Sequence, residues 1–228
     1  MQINNKIPVI LVTGFLGSGK TTFINTVLGA YPNLKISIIL NEFGDTKLES
    51  QFIKTRKGDV VELSNGCMCC VAQQDFERII TWILNEKPET QCILIEASGL
   101  SDPLPIATTL QDGKLSEKIK LETIVCIVDC LNFFSSKEKH PTVMVQLANS
   151  DIVLLSKHHE VTVDIIDNIH KFLQTFLPRI SCHNIDNETP LELILNTDFE
   201  HETLKTSNIH THEEINTLFW KSEKPLEF

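Results

Sequence analysis

No apolar run in the chain approaches the roughly 18 residues that a membrane helix needs. The first apolar segment, residues 7–12, is too short for a secretory h-region, lacks a small-residue cleavage site and runs directly into a Gly/Lys motif. A soluble, cytoplasmic protein is therefore expected, with no membrane partner. The sequence also lacks a basic stripe. Its 20 Lys and Arg are scattered among 30 Asp and Glu, for a net charge of −10, so nothing is gathered to neutralise a phosphate backbone and nucleic acid is not an expected partner. It lacks an even set of cysteines. Seven in 228 residues, in a chain long enough not to need staples, fit reduced thiols better than a disulfide framework. Internal repeats and low-complexity tracts are absent too.

What is present is an alternation. Short β-branched runs at 8–13, 36–40, 60–63, 92–96, 124–129, 152–156 and 180–183 read as strands. Segments of helical period at 21–29, 75–85, 104–110, 143–148 and 163–176 lie between them. The strands are almost wholly apolar, as strands buried on both faces must be. This pattern predicts an α/β domain of three layers around a mostly parallel central sheet, over residues 1–195. Residues 196–214 turn polar and hold His201, His210 and His212, and 215–220 reads as one more strand. The 196–228 segment is expected to be a linker plus the initial strand of a truncated or missing C-terminal domain.

Residues 9–22, VILVTGFLGSGKTT, place a strand before the pattern G-x-x-x-x-G-K-[ST], with Gly14, Gly19, Lys20 and Thr21 at its fixed positions. Glycines let the chain turn so that successive backbone N–H groups face one phosphate, and the following helix adds its positive end. Gly17, Ser18, Gly19, Lys20, Thr21 and Thr22 are the candidate phosphate-binding residues. Lys20 is expected at the β- and γ-phosphates, and the Thr21 hydroxyl on Mg²⁺. A second apolar strand ends in Glu96, with Gly99 three residues on. A carboxylate there can hold Mg²⁺ directly or through water, and Gly99 lets the backbone swing toward a γ-phosphate. Lys20, Thr21 and Glu96 are thus the candidate catalytic residues of a nucleoside triphosphatase.

Residues 152–160, IVLLSKHHE, occupy the place of an N-K-x-D base loop. Ser156 replaces the Asn, Lys157 is kept, and His159 stands where the Asp belongs. A neutral imidazole has one donor and one acceptor, so it cannot supply the paired acceptors that a guanine edge takes. Either Glu160 reaches in or the preference for guanine over adenine is relaxed.

Residues 64–70, SNGCMCC, hold three thiols in four positions, Cys67, Cys69 and Cys70. Close thiolates suit Zn²⁺ or Cu(I), and to a lesser extent Co²⁺ or Ni²⁺, whereas Mg²⁺ stays with oxygen. A tetrahedral metal then needs a fourth ligand, from water or a carboxylate. Glu42 and Asp45 follow the second strand, where a nucleotide-responsive loop is expected. A redox pair of Cys67 and Cys70 lacks the helix start such pairs use, and small buried side chains remain the plainest alternative. Cys92, Cys126, Cys130 and Cys182 fall in or beside predicted strands and read as core.

Taken in order, GFLGSGKTT at 14–22, NEFG at 41–44, SNGCMCC at 64–70, EASGLSDPLP at 96–105 and CIVDC at 126–130 resemble the CobW-type P-loop GTPases of the CobW/HypB/UreG class. These are relatives of the nickel-insertion GTPases of urease and hydrogenase maturation. The resemblance covers about residues 5–195, and the C-M-C-C motif is its most specific part. It implies a GTP-hydrolysing metallochaperone with GTP, Mg²⁺ and Zn²⁺ or Co²⁺ as ligands, delivering metal to a client metalloprotein, with a homodimer left open. It also implies that Asp45 sits where an acidic metal ligand can stand, while Leu40 occupies the place of a second one in some relatives. Two alternatives stand beside this: a zinc-binding regulator or buffer that binds nucleotide but barely hydrolyses it, and an ATP-dependent small-molecule kinase.

Overall fold

The computed structural model describes residues 6–41, 60–63, 73–111 and 113–185. Within these, strands and helices alternate: β1 (Ile7–Thr13), α1 (Lys20–Ala30), β2 (Ile36–Asn41), β3 (Val60–Leu63), α2 (Gln73–Glu86), β4 (Cys92–Glu96), α3 (Leu104–Gln111), β5 (Ile119–Asp129), α4 (Phe133–Lys139), α5 (Pro141–Ala148), β6 (Ile152–Ser156), α6 (Val163–Phe176) and β7 (Ser181–Asn184). The seven strands form one sheet in the order β3-β2-β4-β1-β5-β6-β7. All of its ladders are parallel, so the expected mostly parallel sheet is parallel throughout its described strands.

Side chains alternate between the two faces with period two, and both faces are covered. Val9, Leu11, Ile93 and Ile95 meet Phe76, Ile80 and Ile83 of α2 and Ile106, Ala107 and Leu110 of α3. Ile10, Val12, Leu94, Val125 and Ile127 meet Phe23, Ile24 and Val27 of α1. Farther along, Val128, Val153 and Leu155 pack on α4, α5 and α6 through Phe133, Leu147, Ile169 and Leu173. Each fully buried Val, Leu or Ile contributes about 1.5–3 kcal/mol over an exposed one, which is why the strands at the centre read as unbroken apolar runs. Pro8 is tolerated in the central strand because the β1–β4 ladder begins only at Val9, and the β1–β5 register shifts between Val9 and Ile10.

Most elements lie within two residues of the expectation, and β5 and α4 do not. β5 starts at Ile119 rather than 124, because the exposed Lys120 and the charged Glu122 interrupt the apolar pattern of a strand that is otherwise buried up to Val128. Helix α4 is an addition, two turns long, whose buried residue is Phe133. β7 lies one residue later than expected. The expected strand at 215–220 and the linker before it lie outside the described residues.

The chain winds to one side of β1 through β2 and β3, returns as β4, and crosses to β5 on the other side. In such a sheet ligands bind beyond the carboxyl ends of the strands where the winding reverses. Here that point is the end of β1, flanked by Glu96 at the end of β4 and Asp129 at the end of β5.

Candidate phosphate and base site

The turn after β1 is made by Gly14, Gly17 and Gly19, at φ of 136°, 70° and 98°. Gly14 is needed for closeness as well as conformation. A Cβ there would lie 2.4 Å from the Ile127 carbonyl oxygen and 2.8 Å from Ser18 Oγ, so the loop rests directly on β5. Helix α1 then begins with Gly19 as its N-cap, no side-chain cap and no acid in its first turn. Its exposed N–H groups and positive end are left for an anion.

Lys20 is 8% exposed and folds back over the loop, its Nζ donating to the Gly14 carbonyl at 3.0 Å and the Phe15 carbonyl at 3.3 Å. The ammonium thus sits within the turn of the loop. The Thr21 hydroxyl lies 3.2 and 3.3 Å from the two oxygens of Glu96, a carboxylate only 3% exposed. A hydroxyl and a carboxylate side by side are hard oxygen donors, the set that suits Mg²⁺ when phosphate and water complete its shell. The buried Ser18 Oγ, which has no hydrogen-bond partner, also lines the loop. Thr22 is exposed on the outer side of α1, its carbonyl taken by Thr26.

The candidate base loop, residues 156–160, is bound to the phosphate loop. The Ser156 hydroxyl donates to the Ser18 carbonyl at 2.6 Å, with the Val128 carbonyl farther off at 3.2 Å. It supports the cradle from beneath rather than facing outward. Lys157 adopts a left-handed conformation, φ 53°, and its Nζ donates to the Gly17 carbonyl at 3.0 Å and to Asp129 Oδ2 at 2.7 Å. Its aliphatic stem therefore spans from one loop to the other, available to a flat base as packing surface. His159 is 74% exposed and lies 3.7 Å from Glu160, both in a short 3-10 turn at 158–160.

Asp129 is the residue the sequence reading passed over. It accepts from Lys157, from Asn132 Nδ2 at 2.9 Å and from the Leu131 N–H at 2.9 Å. Burial pushes its carboxyl up, but these bonds and the Lys157 charge outweigh it and hold the group below the ordinary carboxylate value. The signal was available: like Glu96, it is an acid at the carboxyl end of a strand adjacent to β1.

Four thiols are placed as expected. Cys92, Cys126 and Cys130 are buried and Cys182 partly so. Desolvation raises them, Cys92, Cys126 and Cys182 to about 12 and Cys130 to about 11, so they stay neutral near pH 7 and are poor metal ligands. Among the described residues no group of three His, Cys, Asp or Glu is gathered to hold a metal. Glu42, Asp45, Cys67, Cys69 and Cys70 lie outside the described residues. Among those described, no helix is long and apolar enough to cross a membrane.

Several known proteins are similar to this chain in sequence or in fold. "Zinc-regulated GTPase metalloprotein activator 1" of Dictyostelium discoideum is 32% identical over 231 aligned positions, covering 84% of this chain and 48% of its own. "Zinc chaperone CobW" of Pseudomonas aeruginosa is 26% identical, covering 89% of this chain and 63% of its own. The chain thus spans about half to two thirds of the length of these curated relatives. In fold it is similar to the Zn(II)-bound YjiA GTPase from Escherichia coli, with a TM-score of 0.63 at 21% identity over 83% of this chain and 61% of that one. The hydrogenase maturation factor HypB from Archaeoglobus fulgidus is also similar, with a TM-score of 0.54 at 19% identity over 80% of this chain and 82% of that one. The sequence profile described as CobW/HypB/UreG, nucleotide-binding domain, matches residues 8–183, a span that runs from the phosphate loop through the base loop to the last described strand, and the chain belongs to that family.

Proposed function

We propose that the protein is a GTP-binding and GTP-hydrolysing metal carrier of the cytoplasm, which takes Zn²⁺ (or Co²⁺) on Cys67, Cys69 and Cys70 and hands it to a client metalloprotein. The observation that carries the nucleotide half is the contact between the Thr21 hydroxyl and the Glu96 carboxylate beside the phosphate loop. The zinc half draws on relatives whose names describe zinc chaperones and a zinc-regulated GTPase, together with the three closely spaced thiols. Asp45, Glu42 or water would complete a tetrahedral site.

In this reading Lys20 leaves the Gly14 and Phe15 carbonyls for the β- and γ-phosphates when nucleotide enters, while Lys157 packs on the base. Mg²⁺, where Thr21 and Glu96 hold it, would neutralise charge on the phosphate oxygens. The γ-phosphate is met by the 96–102 loop and by residues 41–45, so its loss on hydrolysis is felt at both. Through β2 and β3, which pair in register from Ile38↔Val60 to Asn41↔Leu63, that change is communicated to the thiols that follow β3.

A second reading, a zinc-responsive regulator with little hydrolysis, is favoured by Ser156, whose hydroxyl is turned beneath the phosphate loop, and by His159 in the place of the base-reading Asp. Multiple-turnover phosphate release, run in parallel with GTP and ATP, separates the possibilities. The proposal expects Mg²⁺-dependent release that is faster with GTP. Stoichiometric binding without turnover favours the regulator, and faster release from ATP removes the GTPase assignment.

A further inference from the structure

Gln146 is a large polar side chain in the middle of α5, 1% exposed, between the buried apolar residues Val143 and Leu147. Burying an amide is costly unless its hydrogen bonds are made. Here the amide nitrogen's bonds go to one loop: Nε2 donates to the carbonyls of Gly99 and Ser101, both at 3.1 Å. Two carbonyl acceptors fix the orientation of the amide, since the flipped form would set oxygen against oxygen. Three residues on, at the C-cap of the helix, Asn149 Nδ2 lies 3.4 Å from Asp102 Oδ1 and 3.0 Å from the Val145 carbonyl oxygen. Asp102 in turn accepts from the Leu104 N–H at 2.9 Å, which joins the start of α3 to the same support.

The loop so held is compact. The Ser98 carbonyl accepts from the Ser101 N–H at 3.1 Å and from the Ser101 hydroxyl at 2.9 Å. On its other side it touches the phosphate loop: a Cβ on Gly99 would fall 2.7 Å from Leu16 Cδ2 and 2.8 Å from the Leu16 nitrogen. The backbone around Gly99 therefore lies between Leu16 and Gln146.

We propose that Gln146 is a positioning residue of the phosphate site, holding the 98–102 loop against Leu16 so that a γ-phosphate meets backbone already in order. The inference rests on the nucleotide reading above and deepens it. A nucleoside diphosphate, which lacks the γ-phosphate, does not draw on this loop, so the residue acts on the preference for triphosphate over diphosphate rather than on nucleotide affinity in general.

The test uses the full chain and calorimetric titration with GDP and with the β,γ-imido analogue of GTP, both with Mg²⁺. Gln146→Leu fills a similar volume without donors. It is expected to leave GDP affinity within about twofold and to weaken the analogue about tenfold, the scale of two lost buried hydrogen bonds. Gln146→Glu, which sets acceptors against acceptors, should lose at least as much. Asn149→Ala, which removes the longer bond to Asp102 together with a local one to the Val145 carbonyl, should lower the same ratio about twofold, and it supplies the reading if neither Gln146 variant folds. Equal losses for both nucleotides, or an unchanged ratio in the folded variants, would overturn the proposal. A wild-type protein that prefers the analogue but releases no phosphate from GTP removes the hydrolysis reading and leaves this one standing.

Discussion

Two glycines of the phosphate loop make opposite demands, and alanine at each position should show it. At Gly14 the backbone has φ 136°, and a Cβ would approach the Ile127 carbonyl oxygen to 2.4 Å and the Ile127 nitrogen to 3.1 Å. Both atoms belong to the backbone of β5, which is paired on both sides and has little room to move. A backbone held outside the usual regions costs about 1–3 kcal/mol, and forcing an extra methyl into packed structure costs about 1–3 kcal/mol more. Gly14→Ala should therefore destabilise by about 4 kcal/mol, a large part of the roughly 5–15 kcal/mol that keeps a domain folded. At Gly17, φ is 70° but no heavy atom lies within 4 Å of a built Cβ, so only the left-handed conformation is penalised, by about 1–2 kcal/mol. Urea unfolding without nucleotide or metal, so that ligand binding does not stabilise either variant, should show a midpoint clearly lower for Gly14→Ala than for Gly17→Ala. With an m-value of about 2–3 kcal/mol per molar, the gap should be about 1 M. Equal midpoints, or a larger loss at Gly17, would refute the placement of the loop against β5.

Thr21→Ala should remove Mg²⁺-dependent phosphate release while leaving the fold intact, and wild-type rates in that variant contradict the role given to the Thr21–Glu96 pair. The Asp129 tie has a pH signature. Its folded-state carboxyl titrates below the ordinary value of 3.8, so its contribution is present above that value and is lost as pH falls through the lower, folded one. The stability gap between wild type and Asp129→Asn, about 1 kcal/mol for such a partly exposed pair, should hold from pH 5 to 8 and close in stronger acid. A gap that persists in full at pH 2 contradicts it. Zinc stoichiometry should fall with Cys69→Ala and be unchanged with Cys126→Ala, whose thiol is held neutral by burial; metal analysis of the purified variants decides it.

The central strands were legible because burial on both faces leaves an unbroken apolar run, as in Cys92–Glu96 and Ile152–Ser156. The first half of β5 was not, because Lys120 faces outward there. Nor was α4: two turns containing Ser135, Ser136, Lys137 and Glu138 are too short and polar to show a helical period. Its place is set by ring contacts of Phe133 and Phe134 with Phe172 of α6. The phosphate loop was legible since its work is done by neighbours in sequence. Asp129 and Gln146 act across 28 and 45–47 residues, and contacts of that range leave no local pattern. Ser156 was placed at the base loop by its spacing, but only the fold showed its hydroxyl directed at Ser18.

In the proposed mechanism nucleotide state and metal affinity are coupled. Competition titration of Zn²⁺ against a chromophoric chelator, with the protein saturated by GDP or by the β,γ-imido analogue of GTP, measures it directly. Coupled sites differ by about 1–3 kcal/mol, or about 5–150-fold in affinity. A difference of that size is expected, lost with Cys69→Ala and matched by an equal effect of Zn²⁺ on the ratio of analogue to GDP affinity. Equal Zn²⁺ affinity in the two nucleotide states would contradict it.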